Sequence, residues 1–542
     1  MSAPWPQMYD PLHHAAWSTL VAAVPVITLL GSIAVLRIRA HYAALLGLGA
    51  ALVVATTVIG MPVPLALRAS ALGAAYGLLP IGWIILNVIF LYQLTSDRGL
   101  FDVLRHSLRR VTSDRRLQLV LVAFCFGSFF EGAAGFGAPV AITGALLLGL
   151  GFSPLEASGL SLIANTAPVA FGALGTPVVA LAGVTGLPLA SLSAMVGRQL
   201  PFFSVLIPFW LMFAYAGAKR TLAVWPALLV AGVAFAVPQW VISNVHGPWL
   251  VDVGAAVVSL AAVTALLRVW HPADAPREAR VARAAADRQE ELRAWTPWLI
   301  LSVVVFLWGL PQVKTVLDGL SKPSFAIAGL DNLVLRMPPV VAQAKPEPAV
   351  FVLNWLSATG TGILVAALIA AVVMGYRPAE ILRAYARAMR TVRLSLLTIA
   401  AMLAIGFLTR YSGLDAILGL AFARTGVWYP FFGTVLGWLG VALTGSDTSS
   451  NVLFGSLQRV TAQQVGVSPI LMAAANSSGG VMGKMVDMQS IVVASTTTRW
   501  YGHEWEILRF VFLHSVLLVA LVGGLVTLEA YVVPFTRLVP GF

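Results

Sequence analysis

Two carboxylates carry the sharpest chemical signal in this chain. Glu131 stands in Glu131-Gly-Ala-Ala-Gly-Phe-Gly-Ala-Pro139 and Asp447 in Gly445-Ser-Asp-Thr-Ser-Ser-Asn451, each between long apolar stretches. An acid at membrane depth is costly unless it is paired or protonated. Two of them point to a carrier of a proton or a cation. The plainer alternative is structural, with each acid paired to a nearby base or capping a following helix. Arg198, in Val196-Gly-Arg-Gln-Leu-Pro201, and Lys484 are bases set within apolar stretches. Either could neutralise an acid or hold an anionic substrate. Asp487, one turn after Lys484, offers it a local ion pair and is the third acid available for proton coupling.

Short polar runs complete the set. Asn165-Thr166, Thr448-Ser449-Ser450-Asn451 and Asn476-Ser477-Ser478 interrupt otherwise apolar sequence. Thr166, Thr448, Ser449, Ser477 and Ser478 suit helix N-caps. Asn165, Asn476 and Ser449 could hydrogen-bond a substrate hydroxyl, although capping accounts equally well for each group taken alone. A helix beginning inside the membrane presents free N–H groups and partial positive charge, a ready site for a carboxylate. Gly132, Gly135 and Gly137 let backbone approach a ligand closely. The Gly-rich run is not a dinucleotide fingerprint, because no strand precedes it. No HExxH, P-loop, GxSxG or CxxC pattern is present, and the single cysteine, Cys125, excludes a disulfide framework or multi-cysteine metal site. No metal or cofactor is expected.

The elements that must position these groups are membrane helices. The chain has 542 residues, 59% hydrophobic and 10% charged, with a mean hydropathy of +0.88, far from the roughly 25% charged residues of soluble domains. Apolar stretches of crossing length, about 20 residues, begin at 15–36, 42–60, 70–96, 154–184, 188–216 and 222–242. Six more follow at 249–270, 295–313, 348–375, 394–411, 469–497 and 507–534. Segments 117–150 and 427–465 instead read as two short arms around a polar tip. The fold expected is all-α and polytopic, with about twelve transmembrane helices plus two re-entrant helical hairpins. Breaks are expected at the two tips, at Asn165-Thr-Ala-Pro168 and at Asn476-Ser-Ser-Gly-Gly480. Pro139 and Pro168 suit the first turn of a new half-helix.

Arginines cluster in 97–116, 271–294 and 376–393 and are sparse in 61–69 and 412–426. The basic segments read as cytoplasmic, which places both termini outside. Nucleic-acid binding is not expected, because the basic residues lie in short loops between apolar spans. The halves also repeat. Leu94–Leu104 matches Leu408–Leu418 at five of eleven positions, and Glu131/Asp447, Ser153/Ser468 and Asn165/Asn476 recur at offsets of 311 to 316. Equivalent loops differ in arginine content, so the repeat is inverted, a plan of secondary transporters in which broken helices meet at mid-depth. The organisation expected is an N-terminal span (1–41), a first repeat (42–218), connecting spans with linker 271–294 (219–347), and a second repeat (348–542).

Several stretches resemble the lactate permease family, which includes glycolate permeases. They are Phe130-Glu-Gly-Ala-Ala-Gly-Phe-Gly-Ala-Pro-Val-Ala-Ile142, Asn165-Thr-Ala-Pro-Val-Ala-Phe-Gly172, Gly197-Arg-Gln-Leu-Pro201, Leu443-Thr-Gly-Ser-Asp-Thr-Ser-Ser-Asn451, Ala475-Asn-Ser-Ser-Gly-Gly-Val481 and Gly483-Lys-Met485. The resemblance runs over nearly the whole chain. It implies uptake of lactate or glycolate with a proton across a bacterial inner membrane, by a protein kin to transporters built from paired hairpins and often working by an elevator motion. One departure stands out: Val486-Asp-Met-Gln-Ser490 replaces the family's usual Ile-Ser-Pro-Gln-Ser. Sodium coupling is the nearest rival, since Asn, Thr and carbonyl oxygens at chain breaks also suit Na⁺. A membrane-embedded enzyme is a more distant one, lacking any nucleophile or acid pair at catalytic spacing.

Overall fold

The computed structural model describes residues 4–34, 36, 38–100, 103, 111–133, 135, 138–272 and 288–540. It is a helical bundle, as expected for apolar runs whose backbone groups find no partner in lipid except within their own helix. Among the described residues, ten helices are long and apolar enough to cross a membrane. An eleventh span results if the pair Pro154–Ala164 and Val169–Thr185, bent by 64°, is one crossing. The ten include the first arms of both hairpins, Arg115–Ala133 and Gly426–Thr444. Large apolar side chains such as Ile27, Val53, Phe213, Leu299 and Leu513 point outward; for these helices lipid is the solvent.

The structure shifts one of the expected spans toward the N-terminus and markedly shortens another. The second span is Ala40–Thr57, and the one expected over 348–375 is helical only over Thr359–Val373. Its start, Val350–Val352, is a strand paired antiparallel with Ser324–Ala326. Pro346 and Pro348 bar a helix there, and the Val-Phe-Val run favours extended backbone. Two loops, by contrast, are helical. Most of basic segment 376–393 is the first half of the 35-residue helix Pro378–Ser412, and Leu414–Ala423 forms its own helix after left-handed Gly413. Most of linker 271–294 lies outside the described residues.

Both two-armed segments fold back on themselves. Arg115–Ala133 is followed by Ala138–Gly149, and the arms touch closely enough that a Cβ on Gly127 would stand 3.1 Å from Thr143. Tyr429–Thr444 turns at left-handed Gly445 into Asp447–Val465, with Gly440 against Ser450. Beside each hairpin runs an interrupted helix. Ser153 caps Pro154–Ala164 through a capping box with Glu156, and Ser468 caps Pro469–Gly483. The packing is reciprocal: Gly172–Thr185 lies along Asp447–Val465, while Met488–Thr497 lies along Ala138–Gly149.

The first break opens where it is expected, at 165–168, whereas the second is displaced. The first is longer: after Asn165 the chain passes through Val169–Phe171 and then three left-handed residues, Ala173, Leu174 and Gly175. The second does not fall at Asn476-Ser-Ser-Gly-Gly480, which is continuous helix. It falls at Lys484–Asp487, where Met488–Thr497 restarts with Asp487 as N-cap. Gly479 and Gly483 are there for contact, since a Cβ on either would stand 2.4 Å from the carbonyl of Thr434 or Trp438. On the facing helix, a Cβ on Gly437 would meet the Asn476 carbonyl at 2.2 Å. Small residues that let backbones approach are a common membrane helix–helix contact.

A small cap of strands covers one end. Trp5–Pro6 pairs parallel with Val334–Arg336, which pairs antiparallel with Lys345–Glu347. Gln7 donates to the carbonyls of Arg410 and Tyr411, both at 2.9 Å. Glu347 lies 2.6 Å from Arg336 and 2.6 Å from Arg410. Burial opposes ionisation of Glu347, but Arg410 and Arg336 outweigh it and hold the carboxyl below the usual carboxylate range. The tie therefore contributes stability at neutral pH and loses it only as acid protonates Glu347.

The close crossing gives a direct test. Gly437→Leu should cost on the order of 1–3 kcal/mol through overpacking, read as a lower melting temperature of the purified protein in detergent. Gly524→Leu, at a position with no neighbouring atoms within 4 Å, should leave it unchanged. Equal melting temperatures for the two variants would contradict the packing described.

Candidate functional site

A cavity of about 160 Å³ lies where both hairpin tips and both breaks converge. That is room for on the order of ten waters. Its floor on one side is the first hairpin tip. Glu131 is 5% exposed, with one carboxylate oxygen so close to Gly172 that a Cβ there would meet it at 2.5 Å. The other oxygen has no hydrogen-bond partner among the described residues. Asn165 stands beside it, buried, with its amide bonded to no other described group. Gly135, left-handed with φ +59°, packs against Ala173. The left-handed run Ala173–Gly175 adds to this wall; each non-Gly residue in that region costs roughly 1–2 kcal/mol. Such strain persists where surrounding structure imposes it, as at ligand sites.

The second hairpin supplies the opposite wall. Ser446 accepts the N–H of Ser449 as N-cap of Asp447–Val465, so this helix begins at the cavity with Thr448 and Ser449 in its first turn. Asp447 is anchored on one side. Its Oδ2 accepts from Ser477 at 2.5 Å and from Asn451 at 3.2 Å, and its Oδ1 has no partner among the described residues. Gly480 makes room for it, since a Cβ there would meet Oδ1 at 2.4 Å. Behind Asp447 a buried chain of amides continues. Asn451 Oδ1 accepts from Asn476, whose own oxygen accepts from Gln458, and Tyr429 donates to Gln458. Asn451 also donates to the Pro177 carbonyl of the first interrupted helix.

The second break contributes charge. Lys484 is 7% exposed, donates to the Gly445 carbonyl at 2.6 Å and lies 3.3 Å from Asp487 Oδ2. The other Asp487 oxygen accepts the Ser490 N–H. A serine at position 487 could also cap the helix but would remove the carboxylate paired with Lys484. Gln489 and Ser490 extend the polar wall.

Of the residues expected at a site, Glu131, Gly135, Asp447, Thr448, Ser449 and Lys484 line the cavity. Ser450, Asn451, Asn476 and Ser477 form the layer behind it, with Ser450 donating to the Gly437 carbonyl. Ser478 is buried with an unbonded hydroxyl. Thr166 donates back to the Ile163 carbonyl and so closes one helix rather than opening another. The N-caps are Ser446 and Asp487, not Thr448, Ser449, Ser477 or Ser478. Gly132 faces Asp252 instead of the cavity, and a Cβ there would stand 2.6 Å from the Asp252 Cβ. Gly137 lies outside the described residues. Arg198 is elsewhere, bonded to Asn244 at 2.9 Å and the Leu538 carbonyl at 2.7 Å.

Ser446, Gln489 and Ser490 escaped the sequence reading, although they adjoin residues it selected. Buried Asp252 escaped too, because an acid near the start of an apolar span reads as an interfacial residue. Glu529, bonded to Gln199 at 2.9 Å, escaped for the same reason at the end of the last span.

Comparison with known proteins agrees with this architecture. Residues 18–533 match the family described as L-lactate permease. The chain is 45% identical to the glycolate permease GlcA of Escherichia coli K12 over 97% of its own length and 98% of that protein. It is 43% identical to the L-lactate permease of the same organism, over 97% and 98%. Identity to the L-lactate permease of Bacillus subtilis strain 168 is 44%, over 99% and 100%. These relatives are permeases rather than enzymes, and the helices that carry the cavity are those of a multi-pass membrane protein. With the match spanning both hairpins and both breaks, the chain belongs to the L-lactate permease family.

Proposed function

We propose that this chain carries lactate or glycolate together with a proton across the bacterial inner membrane. The observation that carries the reading is the convergence of Glu131, Asp447, Lys484 and one helix start on a single small cavity. The substrate carboxylate sits at the start of Asp447–Val465, where free N–H groups and the helix dipole favour an anion. Lys484, bonded to the Gly445 carbonyl just before this helix, adds positive charge beside it. The 2-hydroxyl bonds to Ser449, Thr448 or Gln489, groups that both donate and accept. Relatives named for lactate and for glycolate support a 2-hydroxymonocarboxylate of this size.

Charge accounts for the proton. A carboxyl with a pKa near 3.5 is almost wholly anionic at pH 7, and driving it inward costs about 2.3 kcal/mol per 100 mV of negative interior. One co-transported proton cancels that charge. Glu131 and Asp447 are the acceptors, each with one carboxylate oxygen unbonded. We read residues 42–218 and 348–542 as the two inverted halves whose hairpins enter the membrane from opposite faces.

In proteoliposomes, Glu131→Gln should abolish uptake driven by a pH gradient while sparing exchange of labelled lactate. PH-driven uptake that survives in both Glu131→Gln and Asp447→Asn removes the proton role. A sodium gradient that drives uptake when a pH gradient alone does not would favour the sodium-coupled reading. Lys484→Gln should raise the half-saturating lactate concentration roughly ten- to a hundredfold, the loss expected for a hydrogen bond to a charged group. Unchanged half-saturation would place the carboxylate elsewhere.

A further inference from the structure

Among the described residues, Lys484 is the one cation that lines the cavity, and it shares that space with two acids, Glu131 and Asp447. Its ammonium has three N–H donors. One goes to the Gly445 carbonyl at 2.6 Å, and Asp487 Oδ2 stands 3.3 Å from the same nitrogen. That leaves a third donor for a substrate carboxylate.

Asp487 is held in place by more than this pair. It is 1% exposed, starts Met488–Thr497 as N-cap, and accepts the Ser490 N–H on Oδ1 at 2.7 Å. The turn of the second hairpin closes on it, since a Cβ on Gly445 would stand 2.9 Å from Oδ1. Asp487 is not among the residues that line the cavity, so it stands behind Lys484 rather than against the substrate.

A carboxylate beside Lys484 therefore meets the near end of a charge pair, not an isolated cation. The near, positive end favours one carboxylate. A second carboxyl group on the same molecule lies farther from Lys484, where the two charges of the pair largely cancel and Glu131 and Asp447 repel it. Size does not make this selection. A cavity of about 160 Å³, with room for on the order of ten waters, holds lactate with enough space left for another carboxyl group.

We infer that Asp487 is the specificity-determining residue for substrate charge, a positioning residue that acts through Lys484 and restricts the cavity to anions with one carboxylate. The inference rests on the reading of this cavity as the substrate site. With Asp487 in place, 2-hydroxymonocarboxylates are carried and 2-hydroxydicarboxylates are refused. Removing its charge while keeping the cap leaves Lys484 unopposed. A doubly charged ligand then gains about twice the free energy that a singly charged one does.

Exchange of labelled lactate in proteoliposomes reads this directly, with unlabelled lactate or malate as competitor at neutral pH, where both malate carboxyls are ionised. The proteins compared are the wild type, Asp487→Asn and Asp487→Ser, since Asn and Ser both serve as N-caps. Malate should compete poorly in the wild type. In both variants the half-inhibiting malate concentration should fall roughly tenfold, and that of lactate about threefold, the order of effect of one unit charge several ångströms away in protein. A malate-to-lactate ratio unchanged in both variants overturns the inference, because a packing role moves both competitors alike. So does loss of lactate exchange in both variants, or wild-type exchange that malate blocks as well as lactate does. Lactate exchange absent from the wild type would instead remove the reading of the cavity, and this inference with it.

Discussion

A helix interrupted in hydrocarbon leaves backbone N–H and C=O groups that lipid cannot satisfy, so it is tolerated only where protein or water surrounds it. This constraint explains why the irregular segments of the chain lie together. The first tip, the left-handed run Ala173–Gly175, the turn at Gly445 and the break at Lys484–Asp487 share one cavity. Each supplies what another lacks. The Gly445 carbonyl accepts from Lys484, the Ser490 N–H donates to Asp487, and the Pro177 carbonyl accepts from Asn451. The cavity is thus part of a polar core rather than a gap between helices, and one oxygen each of Glu131 and Asp447 is left unbonded there among the described residues.

The two acids share this core unequally. Asp447 is fixed by Ser477 and Asn451, backed by Asn476, Gln458 and Tyr429. Glu131 has no comparable scaffold and rests against the bare backbone of Gly172 and Gly135. A rigid carboxylate on one wall and a loosely held one opposite suit different tasks. Lys484, matched by Asp487, brings positive charge to the cavity already balanced.

Much of this was legible in the sequence because membrane helices announce themselves by length and apolarity. Polar residues set between such runs are few enough to single out. Glu131, Asp447 and Lys484 stood out for that reason, and the turn at Gly445 followed from its neighbours. Helix continuity was harder to read. Asn476-Ser-Ser-Gly-Gly480 has the composition of a break, yet it is helical, because its small residues serve a close crossing with Gly437 and Thr434. Composition cannot distinguish glycine that frees the backbone from glycine that admits a neighbour. The strands at Val334–Arg336 and Lys345–Glu347 were hidden because they are three residues long and held by partners far off in the chain. Arg198 was misleading for a related reason: its partners, Asn244 and the Leu538 carbonyl, belong to distant segments.

The reciprocal packing of the two halves has a mechanical meaning. Gly172–Thr185 rides on the second arm of one hairpin, and Met488–Thr497 rides on the second arm of the other. The four pieces are therefore packed together as one unit. The left-handed glycines at its margins, Gly151, Gly186 and Gly466, follow three of these helices and turn the chain out of the block.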